Sequence, residues 1–477
     1  IVPGNIGGLL AMLDRFGSRP LSEVLAPAID YAQNGHPAND GYVAGIRGGR
    51  QRLLKTPTSA ALFLPGGRLP ESGEMVRNPD LAATLRKLVE AEQTALKGGA
   101  SRNAAIQAAH DRFYKGDIAQ EIDRYYKANG GVLTAADLAG FTAKWETPLH
   151  TTYRGYDVYT NGATSRGGFE VIMQLNLLEG FDLSAMQYGS AEAIHLQAEA
   201  IKVAKSDIYH YLGDAAFTKV PVEGMVSKAY AAERRKLMTP ARAVAYPAIG
   251  NPSAFGSSSM APVQVAAKSS GPAWPEHYEP DPETTSFSIV DREGNAVAVT
   301  PTIGGGMGTS VVVGNTGLLF NNGLRLGSTS PYPDNVNYVR ARQIPLLNNS
   351  PVIVLKDGQL VLAIGTPGGE TIGQTQFQGI VNVLDFGLSI QAAIEGPRFR
   401  VDAEPNFYKA GAQMTVAIES RVPPAVIAAL KAMGHTVEML PEYTAGVGGM
   451  QGILVDLKTK TMTAGADPRR AGYAIGW

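Results

Sequence analysis

Cysteine is absent from all 477 residues. No disulfide, thiolate metal site or cysteine nucleophile can therefore be built, whatever the fold. An excess of one charge is absent too: 42 Lys and Arg stand against 43 Asp and Glu. That balance supplies no electrostatic reason to bind nucleic acid or an anionic membrane. There is no apolar run of about 18 residues, the length that a membrane-spanning helix needs. Histidine is sparse. His36, His110, His150, His195, His210, His277 and His435 are scattered, and none falls into HExxH or another short ligand spacing, so no metal is expected. The chain opens on "IVPGNIGGLL", without Met, which reads as the interior of a domain; a preceding piece is expected.

What is present is an ordinary globular composition, 44% apolar and 18% charged, in a chain long enough for a large core. "LAPAIDYAQNG" carries apolar residues at helical spacing and ends on a capping Gly. Residues 79–129 are predicted to be helical, as are "GGFEVIMQLNLLEGFDL" and "SAEAIHLQAEAIKVAKSDIYHYLGD", both read as amphipathic. "YRGYDVYT" alternates and predicts a strand. Over 240–283 the pattern collapses into Pro, Gly, Ser and Ala, the composition of a loop or linker. From residue 284 strands dominate: "TTSFSIV", the turn "DREGN", "AVAVTPTI", "GLLFNNG", "PVIVLKDGQLVLAIG" and "GILVDLKTKTMTAG", with helices near 375–395 and 423–434. Antiparallel sheet layers flanked by helices follow from that order.

Several short stretches could carry chemistry. Thr284 and Thr285 stand at the head of a predicted strand, directly after the unpatterned stretch. Threonine often starts strands because of its β propensity. The alternative is self-cleavage between Glu283 and Thr284. Thr284 would then own a free α-amine, a group that ordinarily titrates at about 7.7–8.0, beside its own hydroxyl. One residue would supply both nucleophile and base. "GTPGGE" at 365–370 is a strand-to-helix turn, a phosphate loop, or an oxyanion hole made from the amides of Gly368 and Gly369. "TPTIGGGMGTS" lacks the Lys of a phosphate-binding loop and reads as a tight bend under a pocket. The Asn pairs of "FNNG" and "LLNNSP", with Arg325 nearby, serve turns or line a polar pocket.

These blocks, in this order, resemble the gamma-glutamyltranspeptidase family of N-terminal nucleophile hydrolases. The resemblance runs through "VPGNIGGLLAMLDRFGSRPLSEVLAPAIDYAQNG", "GGVLTAADLAGF", "YRGYDVY", "YLGDAAF", "TTSFSIVDREGNAVAVTPT", "NTGLLFNN", "GTPGG", "VNVLDFGLSIQAAIEGPRFR" and "ADPRR". It implies an α+β fold, a four-layer αββα sandwich of mostly antiparallel sheets. It also implies a precursor that cuts itself into a large part, 1–283, whose residues 240–283 form an arm, and a small part, 284–477, both within one αββα unit. Thr284 matches the family's nucleophile, Thr302 the threonine that steadies its amine, and Gly368 and Gly369 the oxyanion hole. No cofactor is implied; the partners would be a small-molecule amide and the two subunits themselves.

The chain also departs from the family. An Asn that holds nucleophile and substrate is Gly304 here. The Gln and Asp that grip the substrate's α-amino group are Gly323 and Leu326, and the two serines for its α-carboxylate are Leu347 and Asn348. The family's carboxylate-binding Arg falls ahead of Ile1. Each lost polar contact costs a zwitterion commonly about 1–3 kcal/mol. Retained amide chemistry in an altered pocket is therefore expected, with Asn321, Arg325 and Asn348 as pocket candidates and an oxamate- or glutaryl-type amide as substrate. A true glutathione hydrolase and a homologue that never matures are the rival readings.

Overall fold

The computed structural model describes residues 1–256 and 282–477. They form two compact units, Ile1–Trp145 with Ile303–Asn322, and Glu146–Thr302 with Gly323–Trp477. This is a division of packing, and it does not coincide with the expected cut before Thr284.

In the first unit the expected helices form where their caps stand. The Asn78 side chain accepts from the Leu81 amide, and Pro79 fills the first turn, where no amide donor is needed. Helix Pro79–Lys97 follows, then Arg102–Tyr114 and Asp117–Ala128. Leu85, Leu88, Ile106, Phe113, Ile118 and Ile122 share one core, the apolar stripe that a 3.6-residue period produces. "GLLFNNG" does not become the strand its pattern predicts; an isolated bridge joins Val312 to Leu319. Its backbone bonds to the turn before it, the Val313 amide donating to the Leu318 carbonyl and the Phe320 amide to that of Val311, and the helix-capping Asn78 donates to the Gly317 carbonyl.

The second unit is built on a six-stranded sheet. Its order is Met462–Ala466, Gln451–Val455, Gln359–Gly365, Val352–Lys356, Tyr156–Thr160 and Leu149–Tyr153, with every neighbouring pair antiparallel. "YRGYDVYT" is not one strand. Arg154 and Gly155 take φ of 51° and 79° and turn the chain back on itself, the left-handed pair that suits a two-residue hairpin. On strand Gln359–Gly365, Ile364 points toward Gly379 of helix Ile372–Leu384, while Gly365 faces Ser286 beside the hairpin Phe287–Val290/Ala296–Val299. Successive strand residues face opposite sides, so the sheet lies between helices and a second sheet layer, as expected for the αββα class. A smaller sheet pairs Phe399–Glu404 with Gln413–Glu419, which runs parallel to Val437–Leu440.

The two long helices of this unit correct the reading of amphipathicity. Every residue of Arg166–Leu178 is buried, and so is nearly all of Ala191–Tyr211. Their charges are paired inside the protein: Lys205 with Glu170 at 2.7 Å, Arg234 with Asp207 at 2.8 Å, Lys202 with Glu199 at 2.9 Å. Among the described residues no helix is long and apolar enough to cross a membrane. Of the unpatterned stretch, 257–281 lie outside the described residues. The part before them is pinned to Ala191–Tyr211. The Val244 amide donates to Glu199 at 3.0 Å, the Gly250 amide to Asp207 at 2.8 Å, and the Tyr211 hydroxyl to the Gly250 carbonyl at 2.7 Å.

A buried chain of donors at the root of that stretch sets a pH dependence. His195 Nε2 lies 2.7 Å from the Thr239 carbonyl, His195 Nδ1 lies 2.8 Å from His435 Nε2, and His435 Nδ1 lies 3.2 Å from Lys202 Nζ. One proton order satisfies all three: His195 donates to the carbonyl, His435 to His195, and Lys202 to His435. Burial, then the Lys202 charge and His195, hold His435 down from 6.5 to about 3. Between those values the unfolded chain binds the proton and the folded chain does not. Unfolding free energy is therefore expected to fall as pH drops from about 6.5 toward 3, by up to about 1.4 kcal/mol per pH unit. Urea titrations should show this slope, and His435→Gln should flatten it.

Candidate active site

Thr284 ends a short strand, Pro282–Thr284, that also holds Glu283; the hairpin strand itself begins at Phe287. The expected single strand is broken because the Thr285 amide donates to the Pro301 carbonyl at 3.1 Å and Ser286 tucks beneath it against Gly365. That break leaves Thr284 beside Thr302, with the two hydroxyl oxygens 2.9 Å apart. The strand ending at Thr284 lies against the turn Gly369–Thr371. In the uncut chain the nitrogen of Thr284 is a peptide amide and cannot act as a base.

The glycine pair forms a turn that other residues resist. Gly368 has φ of 149° and Gly369 of 59°, and a Cβ on Gly368 would lie 2.6 Å from the Thr371 hydroxyl. The Thr371 hydroxyl donates to the Gly368 carbonyl at 2.8 Å, and Asn348 Nδ2 donates to the Gly369 carbonyl at 3.2 Å. With the carbonyls engaged, neither amide of the pair donates to an acceptor among the described residues. Two aimed amides are what an oxyanion hole requires.

Of the other expected site residues, Asn348 is buried against this turn and holds it. Arg325 belongs to the same unit; its Nη1 donates to the Leu326 carbonyl at 3.2 Å. Asn321 belongs to the first unit, where its amide donates to the Ile1 carbonyl at 3.1 Å. Gly304 also lies in the first unit, with φ of 98°; a Cβ there would fall 2.0 Å from Asn322 Oδ1, which accepts from the Gly305 amide at 2.7 Å. Asn322 thus fills the place where a side chain on residue 304 would begin.

Sequence reasoning missed Glu370, Arg166, Lys205 and Tyr209, which cluster behind the glycine pair. Charges set among apolar residues in a helix were the available signal. It also missed His195, Glu199 and His435, whose ligand atoms lie within 4.8 Å of one another. Lys202 Nζ, 2.9 Å from Glu199 and 3.2 Å from His435, already supplies the positive charge there. A small cavity of about 200 Å³ reaches Thr284, bordered by Ser286, Ser288, Pro367, Gly449 and Gln451. A larger one in this unit, about 470 Å³ between Tyr188 and Val426, does not include Thr284 or the glycine pair.

Stacked sheets with helices outside are the architecture of the N-terminal nucleophile hydrolases, and comparison with solved structures agrees. The fold superposes on the cephalosporin acylase from Bacillus halodurans with a TM-score of 0.81 at 26% identity, covering 100% of this chain and 78% of that one. Within that class the chain belongs to the gamma-glutamyltranspeptidase family, which it matches over residues 1–477. It is 33% identical to the glutathione hydrolase proenzyme of Escherichia coli (strain K12), over 99% of this chain and 75% of the relative. It is 31% identical to the acylase ACY 1 proenzyme of Pseudomonas sp. (strain SE83), over 94% and 71%.

The packing beneath Thr284 can be checked directly. A Cβ on Gly365 would lie 2.0 Å from Ser286 Oγ. Gly365→Ala is expected to cost about 1–3 kcal/mol by overpacking, and Ser286→Ala in the same chain should recover part of it. Urea unfolding of the single and double variants measures both.

Proposed function

We propose that the chain is a self-processing N-terminal threonine amidohydrolase. Cleavage between Glu283 and Thr284 divides it into a large part, 1–283, and a small part, 284–477, and frees the α-amine of Thr284. That amine takes the hydroxyl proton while Thr284 Oγ attacks the amide carbonyl. The amides of Gly368 and Gly369 receive the oxyanion. The proton passes to the departing amine, leaving an ester on Thr284. Water attacks the ester, the acid leaves, and the hydroxyl is restored. Thr302 holds the nucleophile's position. The observation that carries this reading is the 2.9 Å contact of Thr284 with Thr302, on a strand lying against a glycine turn whose amides donate to no acceptor among the described residues.

The substrate is an amide of a carboxylic acid, with its free carboxylate on Arg325, of the oxamate or glutaryl type. What supports an altered pocket is the set of apolar or absent side chains at Gly323, Leu326 and Leu347. The acylase names among the relatives agree with it. A glutathione hydrolase is the second reading, favoured by the 33% identity to a proenzyme of that name.

Thr284→Ala is expected to abolish hydrolysis across a panel of oxamate, glutaryl and γ-glutamyl amides. Undiminished activity of Thr284→Ala would refute the assignment. Preferential turnover of the γ-glutamyl amide would select the second reading. Thr302→Val removes one hydroxyl and little volume; a fall in kcat of about tenfold, about 1.4 kcal/mol, is expected from steady-state kinetics.

A further inference from the structure

Glu370 follows the glycine pair, and its side chain turns inward to a buried cluster. The Tyr209 hydroxyl donates to one carboxylate oxygen, and Arg166 Nη2 lies 3.5 Å from the other. Lys205 Nζ donates to the Glu370 backbone carbonyl at 3.3 Å and to Glu170 at 2.7 Å. Arg166 is 1% exposed, and Lys205 and Glu170 are 0% exposed. Two cations and two carboxylates therefore balance inside the protein.

Arg166 also reaches a second loop. Its Nη2 donates to the carbonyls of Gly327 and Leu346, and its Nη1 to the Tyr408 hydroxyl at 3.0 Å. Tyr408 in turn donates to the Gly327 carbonyl at 3.0 Å. Gly327 has φ of 95°, and a Cβ there would meet Glu370 Oε1 at 2.7 Å and Arg325 Nη1 at 3.5 Å. The Glu370 carboxylate thus touches the loop that carries Arg325.

We propose that Glu370 is a positioning residue that ties the oxyanion turn to the Arg325 loop, with Tyr209 and Arg166 holding its carboxylate in place. The spacing between the glycine amides and Arg325 is then fixed before substrate arrives, so carbonyl and carboxylate are placed together. This inference rests on Thr284 as nucleophile and adds to it the residue that sets the geometry opposite. Burial raises the pKa of Glu370, while Arg166 and Lys205 pull it back and Glu170 raises it further. Removing the Tyr209 donor disfavours the ionised form further. The clamp should then fail at a higher pH.

The test is Tyr209→Phe in the full chain, assayed from acid to neutral pH with glutaryl and γ-glutamyl anilides, with intact mass reporting the cut. The expected variant is cut before Thr284, keeps KM within about twofold, loses about tenfold in kcat, and has its acid limb moved up by about one pH unit. A folded, cut Tyr209→Phe with unchanged kcat and acid limb overturns the proposal. Should Tyr209→Phe fail to fold, Tyr408→Phe tests the Arg166 side of the same clamp. The same loss in kcat is expected there, and natural-chain kinetics would overturn the proposal. A parent chain that is never cut would instead remove the reading of Thr284, and this inference with it.

Discussion

Lys205 and Glu170 meet at 2.7 Å with neither side chain exposed to water. An isolated charge at that depth would cost several kcal/mol, so each requires the other, and breaking such a pair costs about 3–5 kcal/mol. The helices Arg166–Leu178 and Ala191–Tyr211 are thereby set against each other at a defined register. Arg166 and Tyr209, on the same two helices, then reach Glu370, the residue that follows Gly368 and Gly369 in the turn. The paired charges sit within a large apolar core, and the glycine turn begins beside the cluster they form.

Opposite the turn, the constraint is steric. Gly365 leaves room for the Ser286 hydroxyl, which lets the strand break between Thr284 and Phe287. Thr302 then meets Thr284 at hydrogen-bond distance. A second buried network borders the small cavity at Thr284: Asp467 accepts from Arg398 and from the Met450 amide, and Arg469 donates to Glu419. "ADPRR" therefore serves the core, holding the Gly448–Met450 stretch that packs behind Gly368.

Much of this was legible in the sequence, for reasons specific to each element. Asn78-Pro79 and Gly35 announced helix ends through capping chemistry, and Lys-Asp-Gly announced a hairpin through the left-handed conformation of Asp357 and Gly358. Thr284 and the glycine pair stood out because each sits at a change of pattern. What failed did so because periodicity assigns charged residues to water. Glu170, Lys202 and Lys205 read as a polar face, yet they lie inside, where Lys205 pairs with Glu170 on the other helix and Lys202 with Glu199 and His435. Tyr-Arg-Gly-Tyr read as a continuous strand because nothing in its alternation marks the turn at Arg154. Asn322 looked like a turn residue, and only the fold shows it occupying the space at Gly304.

Everything proposed about chemistry depends on Thr284 becoming a chain terminus, because an amide nitrogen cannot accept the hydroxyl proton. N-terminal sequencing of the purified mature protein tests this most directly. A fragment beginning Thr284-Thr285-Ser286 is expected. A fragment beginning at another residue, or an uncut chain in a preparation that hydrolyses amides, would contradict that role for Thr284.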